Sequence, residues 1–188
     1  MKKSIGAKAL VMPTPVFVIG SYGDDGTPNI MTAAWGGICA SEPPAIAVSI
    51  RPGRCTHENI VASKAFTVNI PSVSLLKQAD FAGMFSGYDT DKFVETGLTA
   101  ESSTLVHAPL VVEFPLILEC TLIHTIELGT HTQFIGQILD VKADESIMND
   151  LGGLDTAKLA PLAFSPLDGG YYALGEYVGK AFSVGKPA

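Results

Sequence analysis

In 188 residues, 12 Lys and Arg face 19 Asp and Glu, a formal charge of −7 that excludes nucleic acid as a partner class, since binding it needs a net-basic face. Hydrophobic side chains make up 47% of the chain and charged ones 16%. No apolar run reaches the ~18 residues of a membrane span, so the apolar excess predicts a buried subunit interface and a homodimer, with no membrane partner. Cys39, Cys55 and Cys120 are odd in number and form no CxxC pair, and Gly6-Ala7-Lys8 interrupts the signal-like start Met1-Lys2-Lys3. Both features point to a reduced, cytoplasmic protein. The length predicts a single domain over residues 1–188.

Pro15–Tyr22 is rich in β-branched and aromatic residues and leads into Gly23-Asp24-Asp25-Gly26, the pattern of a strand and a hairpin turn. Two apolar runs follow, Asn29–Ala40 and Ala45–Ile50, which Ser41 to Pro44 separate; their length and flanking punctuation predict strands. Thr56 reads as the N-cap of a short helix over His57–Ser63. Ala65–Ile70 is a strand, and Ser72–Gly83 a helix with Ser72 as its cap and Leu75, Leu76 and Ala79 on one face. Phe85–Ala108 is polar and lacks periodicity, so it reads as a long, functional connection. Pro115–Leu128 and Thr132–Val141 form a long hairpin about Gly129-Thr130. A turn at Asn149–Gly153, a helical turn at Asp155–Leu159, the run Leu162–Phe164 and a packed Gly-spaced tail close the chain. At least six strands, few helices and no strict βαβ alternation predict a mainly antiparallel barrel.

Two stretches stand out chemically. Ala33, Ala34, Gly36 and Gly37 surround the only Trp, Trp35, and small residues beside one aromatic let a flat ligand approach the backbone. Core packing is the other reading of Trp35. Arg51 and Arg54, the only two arginines, share one loop that feeds a helix N-terminus, a good anion site because unpaired N–H groups and the dipole favour phosphate. Lys92, the only Lys or Arg between Lys77 and Lys142, is either a solvated lysine or a second phosphate contact. There is no G-x-G-x-x-G, no Gly-x-Ser-x-Gly, and no third ligand to complete a metal site with His124 and His131. Cys39 and Cys55 read as structural thiols, because no resolving partner is adjacent.

The runs Pro28–Trp35, Pro43–Ile50, Asp91-Lys92-Phe93 and Gly129–Gly136 resemble the flavin reductase-like, FMN-binding split-barrel family, on its flavoredoxin branch. The motifs stand in family order across Pro15–Gly185. The resemblance implies a six-stranded antiparallel split β-barrel with a few short peripheral helices, a homodimer, and FMN near the subunit interface. By that analogy the backbone of Thr32, Ala33, Ala34 and Trp35 lies along the isoalloxazine edge. Ser49, Arg51, Thr56, Ser86 and Lys92 hold the phosphate and ribityl chain. Asn29, Met31, Ile50, Asn59 and Gly87 complete the expected cofactor-binding set, with Phe164 as a candidate cover for the flavin. His131 comes near the ring where an electron donor docks and is the candidate catalytic residue; its other reading is a core histidine. The missing acid–base dyad fits, since a flavin carries the redox chemistry itself. The implied function is that of an NAD(P)H-dependent flavin reductase, with NADH or NADPH passing hydride to flavin N5. The alternative is an electron carrier that keeps FMN and exchanges electrons with a redox protein.

Overall fold

The computed structural model describes residues 1–187. In chain order the strands are β1 (Thr14–Pro15), β2 (Phe17–Tyr22), β3 (Pro28–Ala33), β4 (Gly36–Ser41), β5 (Pro44–Ile50), β6 (Ala65–Ile70), β7 (Ala100–Ser102), β8 (Pro109–Val111), β9 (Leu116–Leu128), β10 (His131–Ala143), β11 (Leu162–Ser165) and β12 (Gly170–Ala173). The helices are α1 (Cys55–Ser63), α2 (Leu76–Met84), α3 (Lys92–Thr96) and α4 (Thr156–Leu159). Seven strands make one antiparallel sheet in the order β3-β2-β6-β9-β10-β5-β4, where six were expected. The extra strand arises because the apolar run Asn29–Ala40 breaks at Ala34-Trp35, giving β3 and β4 at opposite sheet edges.

That break dictates the shape. Three Cα steps from Ala33 to Gly36 reach at most about 11 Å. Seven strands laid flat would hold the two edges about 29 Å apart. The sheet therefore rolls until its edges meet, and because β3 and β4 are not hydrogen-bonded to each other, the barrel is split along that seam. Ile19, Ile46, Val48, Phe66, Val68, Leu118 and Phe134 fill its interior. Phe66 needs the glycine opposite it, for a Cβ at Gly136 would stand 2.5 Å from its ring. Outside the barrel, Val18 and Ile30 meet Ala79 and Ala82 of α2 and Phe93 of α3, forming a second core.

Four local expectations are corrected. Helix α1 starts at Cys55 with Arg54 at its cap, so Thr56 lies inside the first turn. Ser72 precedes a 3₁₀ turn, Val73–Leu75, and its hydroxyl bonds Ser74 rather than a helix N–H. The stretch after Phe85 is not structureless: Asp91 accepts from the N–H groups of Phe93 and Val94 and thereby starts α3, which Gly97 ends at φ 68°. Nor is the tail packed, since Tyr177, Val178 and Phe182 are 81%, 97% and 100% exposed. Among the described residues no helix is long and apolar enough to cross a membrane.

Candidate functional site

The seam opens into a cleft of about 180 Å³ whose walls come from distant parts of the chain. One wall is the end of β3 and the crossing residues: Asn29, Met31, Thr32, Ala33, Ala34 and Trp35. Ser49 and Ile50 contribute the end of β5, followed by Arg51 and Arg54, and then by Cys55 and Thr56 of α1. Gly83 and Phe85 close α2, Ser86, Gly87 and Lys92 follow, and His131 opens β10. The crossing is fixed by the Ser49 N–H, which donates to the Trp35 carbonyl at 2.8 Å. The Thr32 hydroxyl donates to the Ala79 carbonyl and ties the same wall to α2.

The cationic end is built on the first turn of α1. The N–H groups of Cys55 and Thr56 have no hydrogen-bond partner among the described residues, the usual state of an open helix N-terminus. Arg51 and Arg54 are exposed beside them. The turn is held in place from two sides. Asn29 Nδ2 donates to Thr56 Oγ1 at 2.7 Å, and His57 Nε2 lies 2.9 Å from Thr132 Oγ1 on β10. Gly87 passes close over this junction: a Cβ there would collide with the Asn29 amide and stand 3.2 Å from the Cys55 sulfur.

Lys92 is no solvated surface lysine. It is only 3% exposed, and its ammonium donates to the Ile30 and Ala82 carbonyls, each at 2.8 Å. An ammonium has three donors, so one N–H remains for a ligand in the cleft. Burial pulls its pKa down to about 8, because a desolvated cation is disfavoured, and the nearby Arg54 charge adds to the effect. His131 is half-buried at the mouth, with Nδ1 2.9 Å from the Thr130 hydroxyl. Burial first, and the Arg51 charge second, lower its pKa below 6.5, so the imidazole is neutral at pH 7. The core-histidine reading fails on its position. Burial likewise raises the Cys55 thiol, which keeps it protonated and unreactive.

Two predicted residues fall outside the cleft. Asn59 is buried one turn further along α1, where Nδ2 donates to Ser21 Oγ at 3.1 Å. It supports the anion loop from behind and lines none of the cleft. Phe164 lines a neighbouring cavity that shares Thr32, Ala34 and Gly83 with the cleft. Conversely, Cys55, Gly83 and Phe85 line the cleft without having been foreseen. Cys55 sits in the arginine loop and enters the cleft because α1 begins at it, with Arg54 and not Thr56 at the cap. Among the described residues no cluster could hold a metal ion.

Taken together, these features define a split β-barrel with a polar cleft on its seam. The chain belongs to the flavin reductase-like domain family, whose sequence profile matches residues 9–168. It is similar to the solved flavoredoxin of Desulfovibrio vulgaris (Miyazaki F), with 52% identity over 99% of this chain and 100% of that one and a TM-score of 0.94. It is also similar to a flavoredoxin from Methanosarcina acetivorans, with 30% identity over 99% and 98% of the two chains and a TM-score of 0.92. A curated relative from Archaeoglobus fulgidus, described only as uncharacterized, is 37% identical over 114 residues, which is 61% of this chain and 64% of the relative's length.

Proposed function

We propose that this chain is a single-domain oxidoreductase that holds FMN in the seam cleft. The carrying observation is that one cleft joins a backbone-lined wall of small residues to an end with two guanidinium groups, free helix N–H groups and the buried Lys92 ammonium. Arg51, Arg54, the N–H groups of Cys55 and Thr56, and the third donor of Lys92 would bind the phosphate. Ser49, Ser86 and Asn29 would meet the ribityl hydroxyls, and Met31 to Trp35 would lie along the ring. The flavin, when bound, supplies the electron chemistry. The protein's part is to orient the ring and exclude competing contacts. His131, neutral at the mouth, would face the incoming donor and give or accept a hydrogen bond there without adding charge.

NADH or NADPH is the donor in this reading. A second reading, a carrier that takes electrons from a protein, is favoured by the 52% identity to a flavoredoxin along the full chain. Dimer formation is supported by exposed apolar side chains on the sheet and tail: Ile38 is 64% exposed, Leu128 52%, Val178 97% and Phe182 100%. Three unpaired cysteines support a reducing, cytoplasmic setting. Cofactor released by heat and weighed by mass spectrometry tests the flavin: FMN is expected, and FAD alone or no flavin overturns the proposal. Anaerobic mixing with NADH and NADPH should bleach the flavin absorbance; failure with both leaves the carrier reading. Light scattering should return about twice the 19.7 kDa chain mass.

A further inference from the structure

The arginine loop, residues 51–54, joins β5 to α1, and both of its ends are tied to one residue of β10, Thr132. At the β5 end, Ile50, the residue before Arg51, stands opposite Thr132 in the antiparallel register. At the α1 end, the His57 side chain reaches the same residue, with Nε2 2.9 Å from Thr132 Oγ1. Thr132 is only 5% exposed, so this meeting point is part of the barrel rather than of the surface. The His57 ring also rests edge-on against the buried Phe134, 5.0 Å between centroids and inclined by 62°. Within the circuit so closed, the Arg54 N–H donates to the Arg51 carbonyl at 3.3 Å and the His57 N–H to the Arg54 carbonyl at 2.8 Å. Arg51 and Arg54 are exposed and have no ion-pair partner among the described residues, so their place is set by the backbone that carries them. Burial lowers the His57 pKa below 6.5, with the Glu58 charge opposing it, so the imidazole is neutral at pH 7. It then has one donor and one acceptor, and the Thr132 hydroxyl can meet either.

We propose that His57 is a positioning residue, whose bond to Thr132 clamps the arginine loop shut and presents it to the cofactor phosphate already arranged. His57 lines none of the cleft and adds no charge to it, so it acts only through the groups it places. Those are the backbone under Arg51 and Arg54 and the open N–H groups of Cys55 and Thr56. A loop held in its binding shape does not have to be ordered when the ligand arrives, and the clamp removes that cost. The inference rests on the FMN reading of the cleft and deepens it, by naming what prepares the phosphate end for the phosphorylated flavin.

Three substitutions separate the bond from the packing. His57→Leu keeps an apolar contact with Phe134 and removes the bond. His57→Gln keeps a polar group near the position of Nε2 and gives up the ring. Thr132→Val keeps the shape of Thr132 and removes the hydroxyl. A neutral hydrogen bond corresponds to about two- to tenfold in affinity. Titration by flavin fluorescence quenching should show FMN affinity lower by that factor in His57→Leu and in Thr132→Val, with riboflavin affinity unchanged in both. His57→Gln should keep most of the FMN affinity. The double variant His57→Leu/Thr132→Val should lose no more than either single one, because both remove the same bond. The reverse order, Leu tolerated and Gln not, would make His57 a packing residue and overturns the proposal. So do parallel losses of FMN and riboflavin that track a lower melting temperature, which would make the tie a support of the fold. A loss in His57→Leu with none in Thr132→Val overturns it as well, since His57 would then act without the clamp. A wild type that binds FMN no tighter than riboflavin removes the phosphate reading itself, whereas a preference for FMN that survives all three substitutions removes the clamp alone.

Discussion

The ring wall, Met31 to Trp35, and the cationic end, Arg51 to Thr56 with Lys92, meet in one cleft but are made differently. The wall is backbone and small side chains, and its position follows from the short crossing that rolls the sheet. The cationic end is side-chain charge and helix N–H groups, held by Asn29–Thr56 and His57–Thr132 contacts from neighbouring strands. Shape should therefore decide what binds at the wall, and charge what binds at the other end. Riboflavin, which lacks the phosphate, separates the two.

The largest effect should come from Lys92→Met. It removes a donor to the ligand and leaves the Ile30 and Ala82 carbonyls without their partner. Losing a charge-assisted bond costs about 1.5–3 kcal/mol, roughly ten- to a hundredfold in FMN affinity, and each orphaned buried carbonyl about 1–3 kcal/mol of stability. Flavin fluorescence quenching and thermal melts would record both losses; an unchanged melting temperature would mean the buried ammonium is not structural. Ala34→Leu should not discriminate between the two flavins. It fills the wall, so FMN and riboflavin should weaken together, by about tenfold for an overpacking cost of 1–3 kcal/mol. A selective loss of FMN there would break the comparison.

A third effect is pH-dependent. Because burial lowers the Lys92 pKa to about 8, the free protein loses this charge as pH rises through that value. Binding of the phosphate favours the protonated form, so FMN affinity should fall by up to about tenfold per pH unit above 8, and riboflavin affinity should stay flat. The smallest effect concerns His131. Its pKa lies below 6.5, so flavin reduction by NADH should be level from pH 7 to 8 and shift a few-fold as the imidazole protonates in acid. His131→Gln should abolish that shift in stopped-flow traces, and its persistence would assign the titration elsewhere.

Much of this was legible in the chain. Ala65–Ile70 is a strand with the expected bounds, the β9–β10 hairpin turns at Gly129-Thr130, and most of the expected cofactor-binding residues line the cleft. What local patterns missed depends on distance in sequence. In the apolar run Asn29–Ala40, Gly36-Gly37 is the one local punctuation beside Ala34-Trp35, and only the pairing of β4 with β5 and β3 with β2 shows that the run divides there between two sheet edges. Lys92 looked isolated in a polar stretch, and it is buried because α3 folds back onto Ile30 and α2. Asn59 carries the same polar groups as a ligand contact, but the turn of α1 aims it at Ser21. Phe164 arrives near the site through the pairing of β11 with β1 and β12, and stops one cavity short.

The claim that the arginine loop reads a phosphate is tested most directly by Arg51→Ala, titrated with FMN and with riboflavin. Arg51 is exposed, and its side chain has no ion-pair or hydrogen-bond partner among the described residues whose loss would disturb the fold. FMN affinity should fall roughly tenfold or more while riboflavin affinity holds, so that the gap between the two ligands narrows by the same factor. Equal losses for both flavins, or none for FMN, would contradict the placement of the phosphate at this end of the cleft.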